Sequence, residues 1–279
     1  MADIQIENAH TRTTDSESPS RWIEDRVRIG GIDLFMVRGG SGRPLLILHE
    51  ELGYPGWLGW QTALAQNRTL LVPMHPGFGR TARLDWITSV RDLSCFYGRL
   101  LREHQLAPVD VIGFSLGGWI AAEMAANNPA QFRRMALVAP VGIRPPEGEI
   151  FDLYNVTVNA YLQASVRDPQ ATPEFARLFA DLEPPQQMEA WEDARVQTAR
   201  IAWRPYMYNP SLPHLLEGVS GLPTMLVWGA DDGVVPLSAA RAYQGAIAGS
   251  RLVMIAEAGH RPEIETPREF LNHVQEFLG

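Results

Sequence analysis

Short, continuous apolar runs alternate with helical periodicity along most of this chain. Val27–Ile29 and Ile32–Val37 read as a hairpin turned at Gly30-Gly31, where two glycines supply the positive φ that a tight turn needs. Leu45–His49, Thr69–Val72, Asp110–Phe114, Met135–Ala139, Thr224–Trp228 and Leu252–Ile255 follow as runs without polar alternation, as expected of strands covered on both faces. Between them lie amphipathic patterns at Trp57–Gln66, Ser89–Glu103, Leu116–Asn127, Leu237–Ala248 and Pro267–Leu278. Strand alternating with helix predicts an α/β fold with a doubly wound, mostly parallel sheet.

The rhythm breaks over residues 145–219. No strand pattern occurs there, prolines punctuate the segment, and Thr172-Pro173 reads as a helix start ahead of Phe175, Leu178, Phe179 and Leu182. The reading is a helical cap inserted into a core of residues 21–144 and 220–279, after a flexible polar tail of residues 1–20. At the other end, Thr266-Pro267-Arg268-Glu269 has the form of a capping box with proline at the first helical position.

Composition narrows the chemistry. The chain has 279 residues and a formal charge of −8, from 24 basic and 32 acidic side chains. That balance argues against nucleic acid as a partner. Every basic residue is arginine, so a Schiff-base lysine, a Ser–Lys dyad and the lysine of a phosphate loop are all excluded. The one cysteine, Cys95, excludes an internal disulfide and a cysteine metal cage, and its place in a helical apolar pattern reads as a buried structural thiol. Neither a secretory leader nor a membrane span is legible, so a cytoplasmic location with no membrane partner is expected.

Gly113-Phe114-Ser115-Leu116-Gly117 matches G-x-S-x-G, with an apolar strand running into it and a helix pattern running out. Such a turn stands a serine hydroxyl above the sheet, next to free N–H groups at the helix start. A serine needs a base, and the base an orienting acid. The Asp231-Asp232 pair follows one later strand and His260 the next, so Ser115, Asp232 and His260 occur in the order this architecture requires. All three end strands at the edge where open α/β sheets bind ligands.

GFSLGG, WGADDGVVP and AGHRPEIETPREF together resemble the α/β-hydrolase fold family, over about residues 25–279. The resemblance implies a serine hydrolase with a helical cap, needing no cofactor or metal, with Ser115 as nucleophile, His260 as base and Asp232 as acid. It also implies an oxyanion hole from the backbone N–H groups of Leu116 and Glu51. Three positions depart from the family pattern: Glu50 stands where a glycine is usual, the loop Met74-His75-Pro76-Gly77-Phe78-Gly79 lacks the aspartate of the common D-x-PG-x-G, and Arg261 follows the histidine where ring-cleavage hydrolases often carry tryptophan.

Other residues have plainer readings. His49 and His75, with Glu50 and Glu51 nearby, match no metal spacing and read as a hydrogen-bonded pair beneath the site loops. Phe151, Tyr154, Tyr161, Phe175, Phe179, Trp191, Trp203, Tyr206, Met207 and Tyr208 pack the cap, and a subset should line an apolar pocket for a small-molecule substrate. Arg195, Arg200 and Arg204 read as a solvated helix face, with a substrate carboxylate as the alternative partner. The leading function is hydrolysis of a small to medium apolar ester or lactone. A carbon–carbon bond hydrolase of the meta-cleavage-product type is the runner-up, and a non-catalytic receptor on the same fold is a third class. A dinucleotide-binding oxidoreductase is set aside, because no G-x-G-x-x-G follows the first strand.

Overall fold

The apolar runs become eight strands of a single sheet: β1 (Trp22–Ile29), β2 (Ile32–Gly40), β3 (Arg43–Leu48), β4 (Arg68–Pro73), β5 (Val109–Phe114), β6 (Phe132–Val138), β7 (Thr224–Gly229) and β8 (Arg251–Ile255). Their spatial order is β1-β2-β4-β3-β5-β6-β7-β8. Only the β1–β2 and β2–β4 pairings are antiparallel; from β4 through β8 neighbours run parallel. The computed structural model from which this is read describes residues 22–176 and 184–279. The tail expected over residues 1–20 lies outside them.

Two groups of helices flank the sheet. One joins α1 (Gly59–Leu64) to α9 (Pro267–Leu278). The other runs from α2 (Val90–Glu103) to α3 (Leu116–Asn127), which also packs on β3, β5 and β6. It continues through α6 (Leu212–Leu216) to α7 (Leu237–Ala246). Between β6 and β7 stand α4 (Val158–Ala164), α5 (Pro184–Ala202) and α6, and the short α8 (Pro262–Glu265) leads into α9. α2 shows why such sequences fold this way. Ser89 accepts the Asp92 N–H as N-cap, and Val90, Leu93, Phe96, Tyr97, Leu100 and Leu101 form its buried stripe. The Trp60, Phe114 and Phe270 rings meet at centroid separations of 5.2–6.2 Å, fastening α1 and α9 to the end of β5.

Three local expectations need correction. Cys95 is exposed, because the buried stripe of α2 passes through Leu93, Ser94, Phe96 and Tyr97 and leaves position 95 on the outer face. The Thr266 capping box does not form. Residue 266 also closes α8, and its hydroxyl donates back to the Pro262 carbonyl at 3.3 Å, while Pro267 does occupy the start of α9. Thr172 likewise donates to the Asp168 carbonyl at 2.8 Å instead of capping a helix; Leu178, Phe179 and Leu182 lie outside the described residues. Among the described residues no helix is long and apolar enough to cross a membrane.

Parallel pairing from β3 to β8 puts the carboxyl ends of β3, β5, β7 and β8 on one edge. The segments that leave that edge are residues 49–53, 115–118, 230–236 and 256–261.

Candidate active site

Ser115 sits at φ 45°, ψ −109°, a strained conformation that costs about 1–3 kcal/mol and survives only where its surroundings enforce it. They do so here: the Ser115 N–H donates to the Val138 carbonyl at 3.0 Å and its carbonyl accepts from Val141 N–H at 3.3 Å. The flanking glycines are required by space. A Cβ at Gly113 would lie 2.4 Å from the Gly117 oxygen, and one at Gly117 would lie 2.1 Å from the Leu48 oxygen. α3 starts at Leu116, whose N–H therefore belongs to the first turn, where donors lack intrahelical acceptors.

The two aspartates after β7 separate cleanly. The Asp232 side chain is fully buried, and its Oδ1 accepts the N–H groups of Val234 (2.8 Å) and Val235 (2.9 Å). Its Oδ2 lies 3.0 Å from His260 Nδ1. Asp231 instead faces solvent and pairs with Arg167 at 3.1 Å. Because Nδ1 gives its proton to Asp232, the unprotonated nitrogen is Nε2, and neither His260 Nε2 nor Ser115 Oγ has a hydrogen-bond partner. Both residues are buried. Burial alone would push the imidazole down; the Asp232 carboxylate, then Glu51, outweigh it and hold His260 above its ordinary value.

Glu51 is the surprise. Sequence reading assigned it a backbone role, but its side chain is wholly buried within the site. Tyr161, on α4, donates its hydroxyl to Oε1, Thr198, on α5, donates to the Glu51 carbonyl at 2.7 Å, and Oε2 has no partner. Burial opposes its ionisation, yet His260, the Tyr161 and Ser115 hydroxyls and Arg261 together hold the carboxyl below the usual range. The Ser115 hydroxyl faces this carboxylate without a well-formed hydrogen bond.

Two of the departures from the family pattern, Glu50 and Arg261, prove to be partners. Arg261 Nη1 meets Glu50 Oε1 at 2.5 Å in a buried ion pair, and Arg261 Nε donates to Ser165 Oγ at 2.7 Å. Glu50 is nonetheless raised by burial, which Arg261 only partly offsets. Glu263 shares the surroundings and is pushed up to about 8 by burial, again partly offset by Arg261. Sequence reading had no access to this network. The coincidence of two departures, one in each loop, was its only trace.

His49 and His75 stack at 3.6 Å between centroids. His49 Nδ1 bonds the Glu50 carbonyl at 2.8 Å and Nε2 accepts the His75 N–H at 3.0 Å. His75 takes the Tyr97 hydroxyl at Nδ1 (2.5 Å) and meets the His49 carbonyl at Nε2 (3.0 Å). Every ring nitrogen is thus engaged, and burial pushes His49 down to about 4 and His75 well below its ordinary value, so both stay neutral supports of the 49–53 loop. Among the described residues no group of three or more His, Cys, Asp or Glu side chains is placed to hold a metal ion.

The three arginines of 195–204 do not share one solvated face. Arg200 donates to the carbonyls of Leu84 (3.0 Å) and Ile87, tying α5 to the body. Arg195 is largely buried, bonding Glu192 at 2.9 Å and the Tyr154 carbonyl at 3.3 Å. Arg204 alone is exposed.

The sequence model of the alpha/beta hydrolase family matches residues 45–273. The chain belongs to that family. Among relatives, it is 27% identical over 278 residues to 2-hydroxymuconate semialdehyde hydrolase of Pseudomonas sp. strain CF600, covering 89% of this chain and 91% of that protein. It is 26% identical over 266 residues to the mouse monoacylglycerol lipase ABHD6, covering 88% of this chain and 78% of that one. The structure resembles the 2-hydroxy-6-oxo-6-phenylhexa-2,4-dienoate hydrolase of Rhodococcus sp. strain RHA1, with TM-score 0.72, 17% identity, and 93% and 99% of the two chains covered. A putative lipase of Acinetobacter baumannii AYE gives TM-score 0.72 and 23% identity over 92% and 91%. These two likenesses concern the fold, and membership of the alpha/beta hydrolase family supports hydrolysis as the chemistry.

Proposed function

We propose that this alpha/beta hydrolase family member cleaves a small to medium, uncharged carboxylic ester or lactone through an acyl-enzyme on Ser115. The observation that carries the reading is a strained elbow serine and an Asp232-oriented imidazole, both buried and both beside the Glu51 carboxylate, with Ser115 Oγ and His260 Nε2 both lacking partners. His260 takes the hydroxyl proton at Nε2 while Oγ attacks the carbonyl carbon. It then returns that proton to the leaving oxygen, and repeats the cycle with water. Asp232 fixes the tautomer. The backbone N–H groups of Leu116 and Glu51 are the proposed oxyanion donors, each contributing about 3–4 kcal/mol. Helices α4–α6, within the segment 145–219, are the proposed cap.

The names of the relatives make a carbon–carbon bond hydrolase of a dienoate the second reading. The Glu51 carboxylate argues for the uncharged ester. It lies beside the nucleophile with one oxygen unpartnered, so an anionic substrate would meet repulsion in a site of low dielectric.

Labelling with a fluorophosphonate, read by intact mass and peptide mapping, tests the nucleophile. The adduct is expected on Ser115 and absent from Ser115→Ala, which keeps the wild-type fold and loses p-nitrophenyl ester turnover. A folded wild-type protein that neither labels nor turns over esters would favour the receptor reading. Faster turnover of a ring-cleavage dienoate than of any ester in a chain-length panel would transfer the chemistry to carbon–carbon cleavage.

A further inference from the structure

The geometry points to a second carboxylate acting on the base. We propose that Glu51 is a positioning residue of the hydrolytic reaction, its carboxylate stabilising the imidazolium that forms when His260 takes the Ser115 proton. This rests on the serine-hydrolase reading above.

The pairing of two short segments dictates the arrangement. Glu50 and Glu51 are adjacent on the loop after β3, and His260 and Arg261 are adjacent on the loop after β8. The buried Arg261–Glu50 ion pair docks one loop on the other and so sets Glu51 beside His260. α4 closes the same gap from above. Tyr161 and Ser165 are one helical turn apart: the first donates to Glu51, and the second accepts the His260 N–H at 2.9 Å and the Arg261 Nε–H at 2.7 Å.

The charges around His260 then single out Glu51. Asp232 lies at Nδ1, fully bonded by His260 and two N–H groups. Glu50 is matched by Arg261. Glu263, at about 8, is protonated at neutral pH. Glu265 accepts the backbone N–H groups of Arg167 at 2.6 Å and Gly259 at 2.8 Å. From α4 the only titratable group is Tyr161, whose phenol burial keeps protonated. Glu51 and Glu263 each have an oxygen without a donor. Glu263 keeps its proton, so Glu51 is the ionised one, close to both Ser115 and His260; its pull on His260 outweighs the opposing charge of Arg261, which is spent on Glu50.

The consequence is specific to one step. In the ground state the imidazole is neutral and gains little from Glu51. As the Oγ–H bond breaks, the proton passes to Nε2. The Oγ electron pair bonds the acyl carbon, and the carbonyl π pair moves to its oxygen. The imidazolium then interacts with two carboxylates, Asp232 at Nδ1 and the neighbouring Glu51. The same interaction favours His260 in its protonated, idle form at acid pH, so Glu51 sets the pH at which the base becomes free.

The test is the pH dependence of the rate at which a fluorophosphonate labels Ser115, measured on wild type, Glu51→Gln and Glu51→Asp, with Glu51→Asn as the neutral variant should Gln fail to fold. The neutral variant is expected to move the acid limb down by about 1 pH unit and to lower the plateau, while Asp holds the limb near wild type. A limb that does not move in the neutral variant, or moves as far in Asp, overturns the proposal and leaves Ser115 as nucleophile. A wild type that labels at no pH overturns both readings.

Discussion

Replacing Arg261 by Met should cost stability in an amount set by pH. Arg261 is fully enclosed, with Nη1 on Glu50 at 2.5 Å and Nε on Ser165 at 2.7 Å. Met fills similar volume but leaves Glu50 buried without a cation. Removing one partner of a buried pair costs about 3–5 kcal/mol where the survivor stays charged. Here the survivor has an escape, because Glu50 can take up a proton. Its ordinary value is 4.5. Protonating it in the folded chain at pH 7, while the unfolded chain stays ionised, therefore caps that part of the loss at about 3.4 kcal/mol. At pH 5 the same cap falls to about 0.7 kcal/mol. The lost Ser165 bond adds about 1 kcal/mol at either pH. Urea unfolding at pH 5 and pH 7 should thus show Arg261→Met losing up to about 4 kcal/mol at pH 7 and less than half of that at pH 5. The double variant Glu50→Gln with Arg261→Met should recover about 2–3 kcal/mol relative to the sum of the singles at pH 7. A loss that is the same at both pH values, or singles that simply add, would refute the view that Glu50 depends on Arg261 for its buried charge.

Glu263 gives a second pH signature. Below 4.5 folded and unfolded chains both carry its proton; between 4.5 and about 8 only the folded chain does. Stability should therefore fall as pH rises through that window, by up to about 5 kcal/mol, and level off above it. Glu263→Gln should remove that slope in urea titrations at pH 5, 7 and 8.5; parallel curves for the two proteins would contradict it. Gly117→Ala should drive a Cβ against the carbonyl oxygens of Leu48 and His49, at 2.1 and 2.6 Å. An overpacking loss of about 1–3 kcal/mol by denaturant midpoint is expected, with slower Ser115 labelling as α3 is pushed away from the 49–53 loop. Labelling at the wild-type rate would show that the elbow tolerates the displacement.

What could be read ahead of the structure was whatever local pattern determines. Continuous runs such as Leu45–Leu48 and Thr224–Gly229 are buried along almost their whole length, so their lack of alternation reported strands covered on both faces. The strand–turn–helix around Ser115 was visible because each part carries its own signature: an apolar strand, two glycines with no room for a Cβ, and a helix start. Side-chain direction in the loops was not legible. The direction of the Glu51 carboxylate goes with contacts remote in sequence: Tyr161, 110 positions on, donates to it, and the adjacent Glu50 pairs with Arg261, 211 positions away. Cys95 failed for a related reason. A thiol suits either side of a helical stripe, so periodicity alone could not exclude the outer face. Thr266 and Thr172 had cap-like sequences, but each hydroxyl was taken by a carbonyl four residues back.

α4 and α5 grip the 49–53 and 256–261 loops directly. Tyr161, Ser165 and Thr198 belong to the helices of the proposed cap, and their bonds go to Glu51, His260 and Arg261. Swinging those helices outward would break the contacts that seat the imidazole and its neighbouring carboxylate. For a cap of this kind, an open state would be a disarmed one.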